Sequence, residues 1–423
     1  MPDMTDTQPS LAKALKHLRP TDARAAVQLA TQATRGVTRM VEGVNQSVWG
    51  TLGAPSGKAA DRTRGITGLV FKTIHGVTQL IGAGADNMLQ RLEPLLQSAD
   101  AAPPDSPQRE AVLAALNGVM GDRLAKSKNP FATPMTLRFQ GAALDWTVPP
   151  AKSHVTGKVL VLIHGLCMND LQWHTVQGEH EVDHGATLAA ELGYTPIYLR
   201  YNTGLHTSQN GHELAKQLEA LIQNWPVKLK ELTIVVHSMG GLVTRSAVQV
   251  AQQGGLKWPK FLKNIAFLGT PHHGAPLERA GSWVDVLLGS TPYSAPFKKL
   301  SGLRSAGITD LRYGFVLDAD WHGQDSEDAR LRRQPDRRVP LSLPDGVACY
   351  TIAATIAAKR SALADRLVGD GLVPLHSALG QHPDPARCLN FDKDKQLILY
   401  RMNHMQLLSS PAVTQQLVAW LQA

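Results

Sequence analysis

The residues whose types and order could do chemistry are Ser238, Asp370 and His404. Ser238 lies in Thr233-Ile234-Val235-Val236-His237-Ser238-Met239-Gly240-Gly241-Leu242-Val243, a buried-strand pattern that runs directly into a serine, two glycines and a helix. Small residues after the serine let the chain turn sharply and project its hydroxyl beyond the strand end. Glycine usually stands two residues before such a serine; here that position is Val236. The serine and the glycine after it meet the greatest crowding, so the pattern tolerates the departure. The plain alternative is a serine that only caps the following helix.

A serine nucleophile needs a base, and the base needs an acid to orient it. In a strand–serine–helix arrangement the acid and then the base follow in chain order. Gly369-Asp370-Gly371-Leu372-Val373-Pro374 puts a glycine-flanked aspartate just beyond a strand. Asn403-His404-Met405 lies between the last strand and the last helix. Asp365 is the rival acid, while Asp392 and Asp394 precede the last strand and fit less well. Taken singly, Asp-Gly is an ordinary turn and a lone histidine an ordinary structural residue; three such residues in the required order are not. Two N–H groups should receive the oxyanion. Met239 supplies one at the positive end of its helix, and Leu166, after the His164-Gly165 turn, is the candidate for the other. His164, His237, His272 and His273 are candidate substrate contacts, with backbone-fixing the alternative for the last two. Cys167, beside the proposed oxyanion turn, reads as packing and not as a nucleophile.

Elements that could hold these residues follow from the apolar pattern. Lys158–Ile163 is a continuous aliphatic run, rich in β-branched residues, of the kind buried on both faces. Leu137–Phe139 and Leu144–Trp146 read as an opening strand pair. Strands are expected at 195–201, 232–236, 264–268, 348–353 and 396–400, with helices near 183–192, at 211–224, after Gly240, and from Pro411 to the end. Strand–helix alternation implies an α/β fold with a mostly parallel central sheet flanked by helices. Residues 275–345 are long enough for a cap or lid over the serine. Trp283–Leu288 could line an acyl pocket there, or be ordinary cap core; the charged stretch 318–338 reads as a solvated loop.

Together these elements resemble the lipase branch of the α/β-hydrolase family over roughly residues 137–423. The resemblance rests on His164-Gly165-Leu166, the His237–Gly241 turn, Gly269-Thr270-Pro271-His272-His273-Gly274, Gly369–Pro374 and Asn403-His404. It implies the same acid and base, Asp370 and His404. It also implies an esterase or lipase acting through an acyl-enzyme. Secreted members of the branch carry an aspartate shortly after the histidine that helps bind calcium. Here Met405, Gln406 and Leu407 follow, so neither metal nor cofactor is expected.

Residues 1–128 lie outside the resemblance and read as a helical appendage to a 129–423 enzyme domain. The appendage echoes itself: Thr34-Arg35-Gly36-Val37-Thr38 recurs as Thr63-Arg64-Gly65-Ile66-Thr67. Val70, Ile74, Val77 and Ile81 form a helical stripe. Either the helices pack on protein, or residues 21–98 form a weakly basic arm on a lipid or granule surface.

The net charge of +8 is moderate for 423 residues, and no basic–aromatic interleaving suggests nucleic acid. Three sparsely placed cysteines make neither a disulfide framework nor a zinc site. The first residues lack the apolar core of a secretory signal, so a cytoplasmic location is the expectation. The expected partner is a small-molecule or lipid ester. An acyltransferase or intracellular polyester depolymerase would use the same residues. A lipid-surface or scaffolding protein with a vestigial site is the non-enzymatic alternative. The sequence does not specify acyl length or oligomeric state.

Overall fold

Val159 to Ile163 are wholly buried, as an unbroken run of branched aliphatics must be when helices cover both faces of a sheet. The structure, a computed structural model, describes residues 25, 107–177, 180–275, 304–322, 336–358 and 369–422. In chain order the described elements begin with α1 (Pro107–Lys126), β1 (Thr136–Phe139), β2 (Ala142–Ala143), β3 (Lys158–Ile163), β4 (His174–Gln177) and β5 (His180–Asp183). Next come α2 (His184–Leu192), β6 (Thr195–Arg200), α3 (Thr207–Asn224), β7 (Glu231–His237), α4 (Met239–Gln253) and β8 (Leu262–Leu268). The last are α5 (Ala306–Tyr313), α6 (Asp318–Trp321), β9 (Ala348–Thr355), α7 (Leu375–Ala378), β10 (Gln396–Tyr400) and α8 (Pro411–Gln422).

The described residues fall into two units. In the first, α1 breaks its helical geometry at Met120 (φ −143°). Asn117 ties the helix to the chain beyond it, donating to the Phe131 carbonyl at 2.7 Å and accepting from the Thr133 N–H at 2.9 Å. The repeated motifs and the apolar stripe lie outside the described residues.

The second unit holds an eight-stranded sheet in the order β10-β9-β8-β7-β3-β6-β1-β2. From β10 to β6 every neighbour is parallel; β1 and β2 pair antiparallel at one end. This is the mostly parallel sheet flanked by helices that the pattern predicts. The second strand of the opening pair lies earlier than expected, at Ala142–Ala143 and not at Leu144–Trp146. Gln140 (φ 49°) and Gly141 (φ 80°) make a two-residue turn, so pairing resumes at once, with Phe139 opposite Ala142. Asp145 then accepts from the Thr147 N–H at 2.9 Å and ends the strand.

Helix boundaries follow local chemistry. Asp183 caps α2 by accepting from the Ala186 N–H, and Gly193 ends it in the left-handed region (φ 73°). Buried residues of α3 recur at Thr207, Gly211, Leu214, Leu218 and Leu221, which is a single helical stripe. Gly211 lets α3 approach α4 closely, since a Cβ there would stand 2.2 Å from the Ser246 hydroxyl. No helix among the described residues is long and apolar enough to cross a membrane.

Candidate active site

Strand β7 ends at His237, and Ser238 follows with φ 55° and ψ −124° before α4 begins at Met239. A side-chain-bearing residue rarely adopts that conformation, which packing must therefore hold. Three glycines make the room. A Cβ on Gly240 would stand 2.7 Å from the Ile163 carbonyl, one on Gly241 2.2 Å from the Thr270 hydroxyl, and one on Gly165 2.9 Å from the Ser238 Cβ. The Ser238 N–H donates to the Leu268 carbonyl at 2.9 Å, fixing the turn to the end of β8. Ser238 is buried, and its hydroxyl finds no hydrogen-bond partner among the described residues. Such bonds are often long in a resting serine enzyme and tighten with substrate.

Asp370 and His404 meet directly. His404 Nδ1 lies 2.6 Å from Asp370 Oδ2, both side chains being 1% exposed. The other carboxylate oxygen, Oδ1, accepts from the N–H groups of Leu372 at 2.9 Å and Val373 at 2.7 Å, so the aspartate cannot rotate freely. The His404 N–H donates to the Asp370 carbonyl at 3.0 Å, adding a backbone tie. Asp365, the rival acid, lies outside the described residues. Asp392 precedes and Asp394 lies within a short 3-10 turn before β10.

The loop after β8 brings the two halves together. A Cβ on Gly269 (φ 59°) would stand 3.1 Å from the His404 ring. His237, next to Ser238, hydrogen-bonds the His404 carbonyl through Nε2 at 3.2 Å, and the two rings are 4.6 Å apart. The loops that follow β3, β7, β8 and β10 therefore meet around Ser238 and His404.

The proposed oxyanion residues flank this point. Leu166 lies in a turn fixed on both sides. Tyr201 donates to the His164 carbonyl at 2.8 Å, and the Cys167 N–H donates to Thr203 Oγ1 at 3.1 Å. Met239 carries α5 close to the site. A Cβ on Gly307 would stand 3.1 Å from Met239 Cε and 2.0 Å from the Thr203 carbonyl. This part of the 275–345 stretch is anchored to α3, where Asp310 accepts from the Thr207 N–H at 2.7 Å and pairs with His206 at 2.9 Å. Trp283–Leu288 lies outside the described residues.

The other histidines are placed as follows. Burial pushes His164 down to about 4, with its ring stacked 4.5 Å from Tyr201 and Nδ1 on the Gly165 carbonyl. Burial also holds His237 well below the usual range, with His404 beside it adding to the effect. His273 Nε2 bonds the Gly380 carbonyl at 3.1 Å, a backbone-fixing contact, and burial brings this ring down to about 3. His272 packs between Phe267 and Phe391. All four are neutral near pH 7 and give the site no fixed positive charge. Burial pushes the Cys167 thiol up to about 12, which removes the thiolate a nucleophile would need.

Sequence reasoning missed Asp170, Arg138 and Arg200. Buried Asp170 pairs with Arg138 at 3.1 Å and with Arg200, clamping the loop that leaves the Leu166 turn. Their mutual distance along the chain left no signal. Among the described residues no cluster of His, Cys, Asp and Glu is arranged to hold a metal ion.

Residues 154–331 match the PGAP1-like alpha/beta domain family. The second unit has the fold of an α/β-hydrolase. A Bacillus licheniformis lipase, BlEst2 in its mature form, is similar to it at 18% identity, covering 68% of this chain and 98% of that one, with a TM-score of 0.39. Lipase B of Aspergillus fumigatus is similar at 10% identity, over 96% of this chain and 85% of its own, with a TM-score of 0.42. The Pyrococcus furiosus esterase Pf2001 is similar at 15% identity, over 64% and 82% respectively, with a TM-score of 0.34. Likenesses this distant carry no argument about what the α/β-hydrolase domain acts on. No curated protein matches the chain.

Proposed function

We propose that the protein is a serine carboxylic-ester hydrolase acting through an acyl-enzyme on Ser238. The observation that carries this reading is a serine held at φ 55° in a strand-to-helix turn beside a histidine whose Nδ1 rests on a buried aspartate. Asp370 holds the tautomer with Nδ1 protonated, which leaves Nε2 of His404 to accept the serine proton. Ser238 Oγ attacks the ester carbonyl, and the N–H groups of Leu166 and Met239 take the developing oxyanion. His404 then protonates the departing alcohol, and water activated by the same ring releases the acid. Each step is a proton or acyl transfer that these side chains balance among themselves. The substrate is an ester small enough, or exposed enough on a lipid surface, to reach a site bordered by α5 and Met239.

The test is hydrolysis of p-nitrophenyl esters from C2 to C16, combined with fluorophosphonate labelling, on wild type and Ser238→Ala. Turnover and labelling that both vanish in the variant support the reading, and the chain-length optimum separates esterase from lipase. Labelling of Ser238 without turnover of any ester would move acyl transfer ahead. Absence of both would leave the site vestigial.

A further inference from the structure

A small cavity is lined by Arg245 from α4, His272 and His273 from the loop after β8, Asp320 from α6, and Arg338 and Arg387. We infer that this cavity binds a phosphoryl group, through Arg245 and His272. The inference does not rest on ester hydrolysis.

Arg245 is 6% exposed, and among the described residues no carboxylate pairs with it. Its guanidinium is held by backbone carbonyls alone, Leu341 at 2.6 Å and His272 at 3.5 Å, and its Nε finds no partner there. A buried guanidinium is ordinarily matched by an anion, because desolvation is costly and carbonyl dipoles only partly offset it. Burial and the neighbouring Arg338 bring Arg245 down to about 10, so it still carries its charge at neutral pH. His272 is 1% exposed, and neither ring nitrogen has a partner among the described residues. Two adjacent buried side chains thus hold unused polar atoms at one cavity.

The carboxylates nearby are already engaged. Asp320 accepts from the N–H groups of Val316, Leu317 and Val339 at 2.8, 2.9 and 3.0 Å. Asp336 pairs with Arg338 at 2.6 Å, with His382 at 3.4 Å and with Arg387 at 3.6 Å. Asp384 pairs with Arg387 at 3.3 Å, so three guanidiniums and three carboxylates meet around the cavity, and Arg245 is the guanidinium with no carboxylate at ion-pair distance among the described residues. A phosphoryl group fits this better than a carboxylate. It offers three oxygens in three directions to an arginine N–H, an imidazole N–H and the field of the other arginines, whereas a carboxylate presents two oxygens in one plane.

The experiment is a calorimetric titration of the full chain with inorganic phosphate, glycerol phosphate and acetate. Sedimentation with phosphatidylglycerol or phosphatidylcholine vesicles runs in parallel. Wild type is compared with Arg245→Gln and with His272→Phe, which keeps a ring against Phe267 and Phe391 should the arginine variant fail to fold. The expected result is saturable phosphate or glycerol phosphate binding that weakens about tenfold or more in each folded variant, as loss of a charge-assisted hydrogen bond implies. Binding confined to phosphatidylglycerol vesicles, and lost in the variants, would mean that the phosphoryl group is a lipid headgroup. No binding of any phosphoryl probe, equal binding by the variants, or tighter binding of acetate than phosphate would overturn the inference.

Discussion

His404 and His272 are buried to the same degree in loops that follow β10 and β8, yet they are surrounded by opposite chemistry. His404 rests on the Asp370 carboxylate. His272 is pushed well below the usual range, first by burial and then by the positive Arg245 and His273. Burial alone makes a histidine silent, because the charged form loses its hydration and gains nothing in return. The Asp370 carboxylate gives His404 Nδ1 the partner that water no longer provides, whereas neither ring nitrogen of His272 has one among the described residues. The two rings thus differ in partner and not in depth, and under the proposed mechanism His404 is the one that carries the proton.

The severest way to break this comparison is to take away the partner. Asp370→Asn keeps the shape and should lower turnover by about 10⁴-fold, with Ser238→Ala and His404→Ala at least as severe. Steady-state kinetics on a short p-nitrophenyl ester measures this. A loss of less than tenfold in Asp370→Asn would return the acid's role to a residue such as Asp365.

A smaller effect should follow from moving the ring without changing its partner. Gly269→Ala would set a methyl 3.1 Å from His404 and 2.8 Å from Leu407 Cδ1, at a φ of 59° that strains any side chain. Displacement of the ring by a fraction of an ångström should cost on the order of 10- to 100-fold in kcat. A variant of unchanged kcat would show that the loop after β8 does not position His404.

The silent histidines make a prediction of the opposite kind, in stability and not in rate. His164 is held near 4 in the fold against about 6.5 in the unfolded chain. A depressed histidine pKa means that the unfolded state binds more protons, so stability is full above about 6.5 and is lost as pH falls towards about 4. The slope is on the order of 1 kcal/mol per pH unit for each such histidine. Melting temperature should fall between pH 7 and pH 5, and less steeply in His164→Phe. Equal slopes would show that His164 is not held neutral.

How much of this was legible beforehand depended on how local each cause is. Val159 to Ile163 announce a doubly covered strand because every residue of the run is apolar. Thr233 to Val243 show a strand passing into a helix because the period changes at Ser238. The ribbon of β4 and β5 was invisible: His174-Thr175-Val176-Gln177 has no clean alternation, and its pairing depends on the partner strand. The clamp of Asp170 by Arg138 and Arg200, and the hold of Asp310 on the start of α3, join residues far apart in the chain. So does the meeting of Asp370 with His404 at 2.6 Å, which the sequence shows only as two loop residues in a suggestive order. Arg245 reads as one more polar residue on a helix until its lack of a carboxylate partner among the described residues is seen in three dimensions.

The smallest expected effect concerns the cost of the arrangement at Ser238 itself. A residue with a side chain at φ 55° and ψ −124° is strained by about 1–3 kcal/mol, and glycine relieves most of that while adding about 0.5–1 kcal/mol of unfolded-state entropy. Ser238→Gly should therefore gain about 1 kcal/mol in chemical denaturation while losing turnover. Ser238→Ala loses the same chemistry but keeps the strain, so it should gain less. If both variants gain equally, the penalty resides in the desolvated hydroxyl rather than in the backbone. If neither gains, the three glycines around the turn already relieve it. Only the first outcome makes the serine, unlike the histidine pair, a residue whose readiness is stored in the chain that carries it.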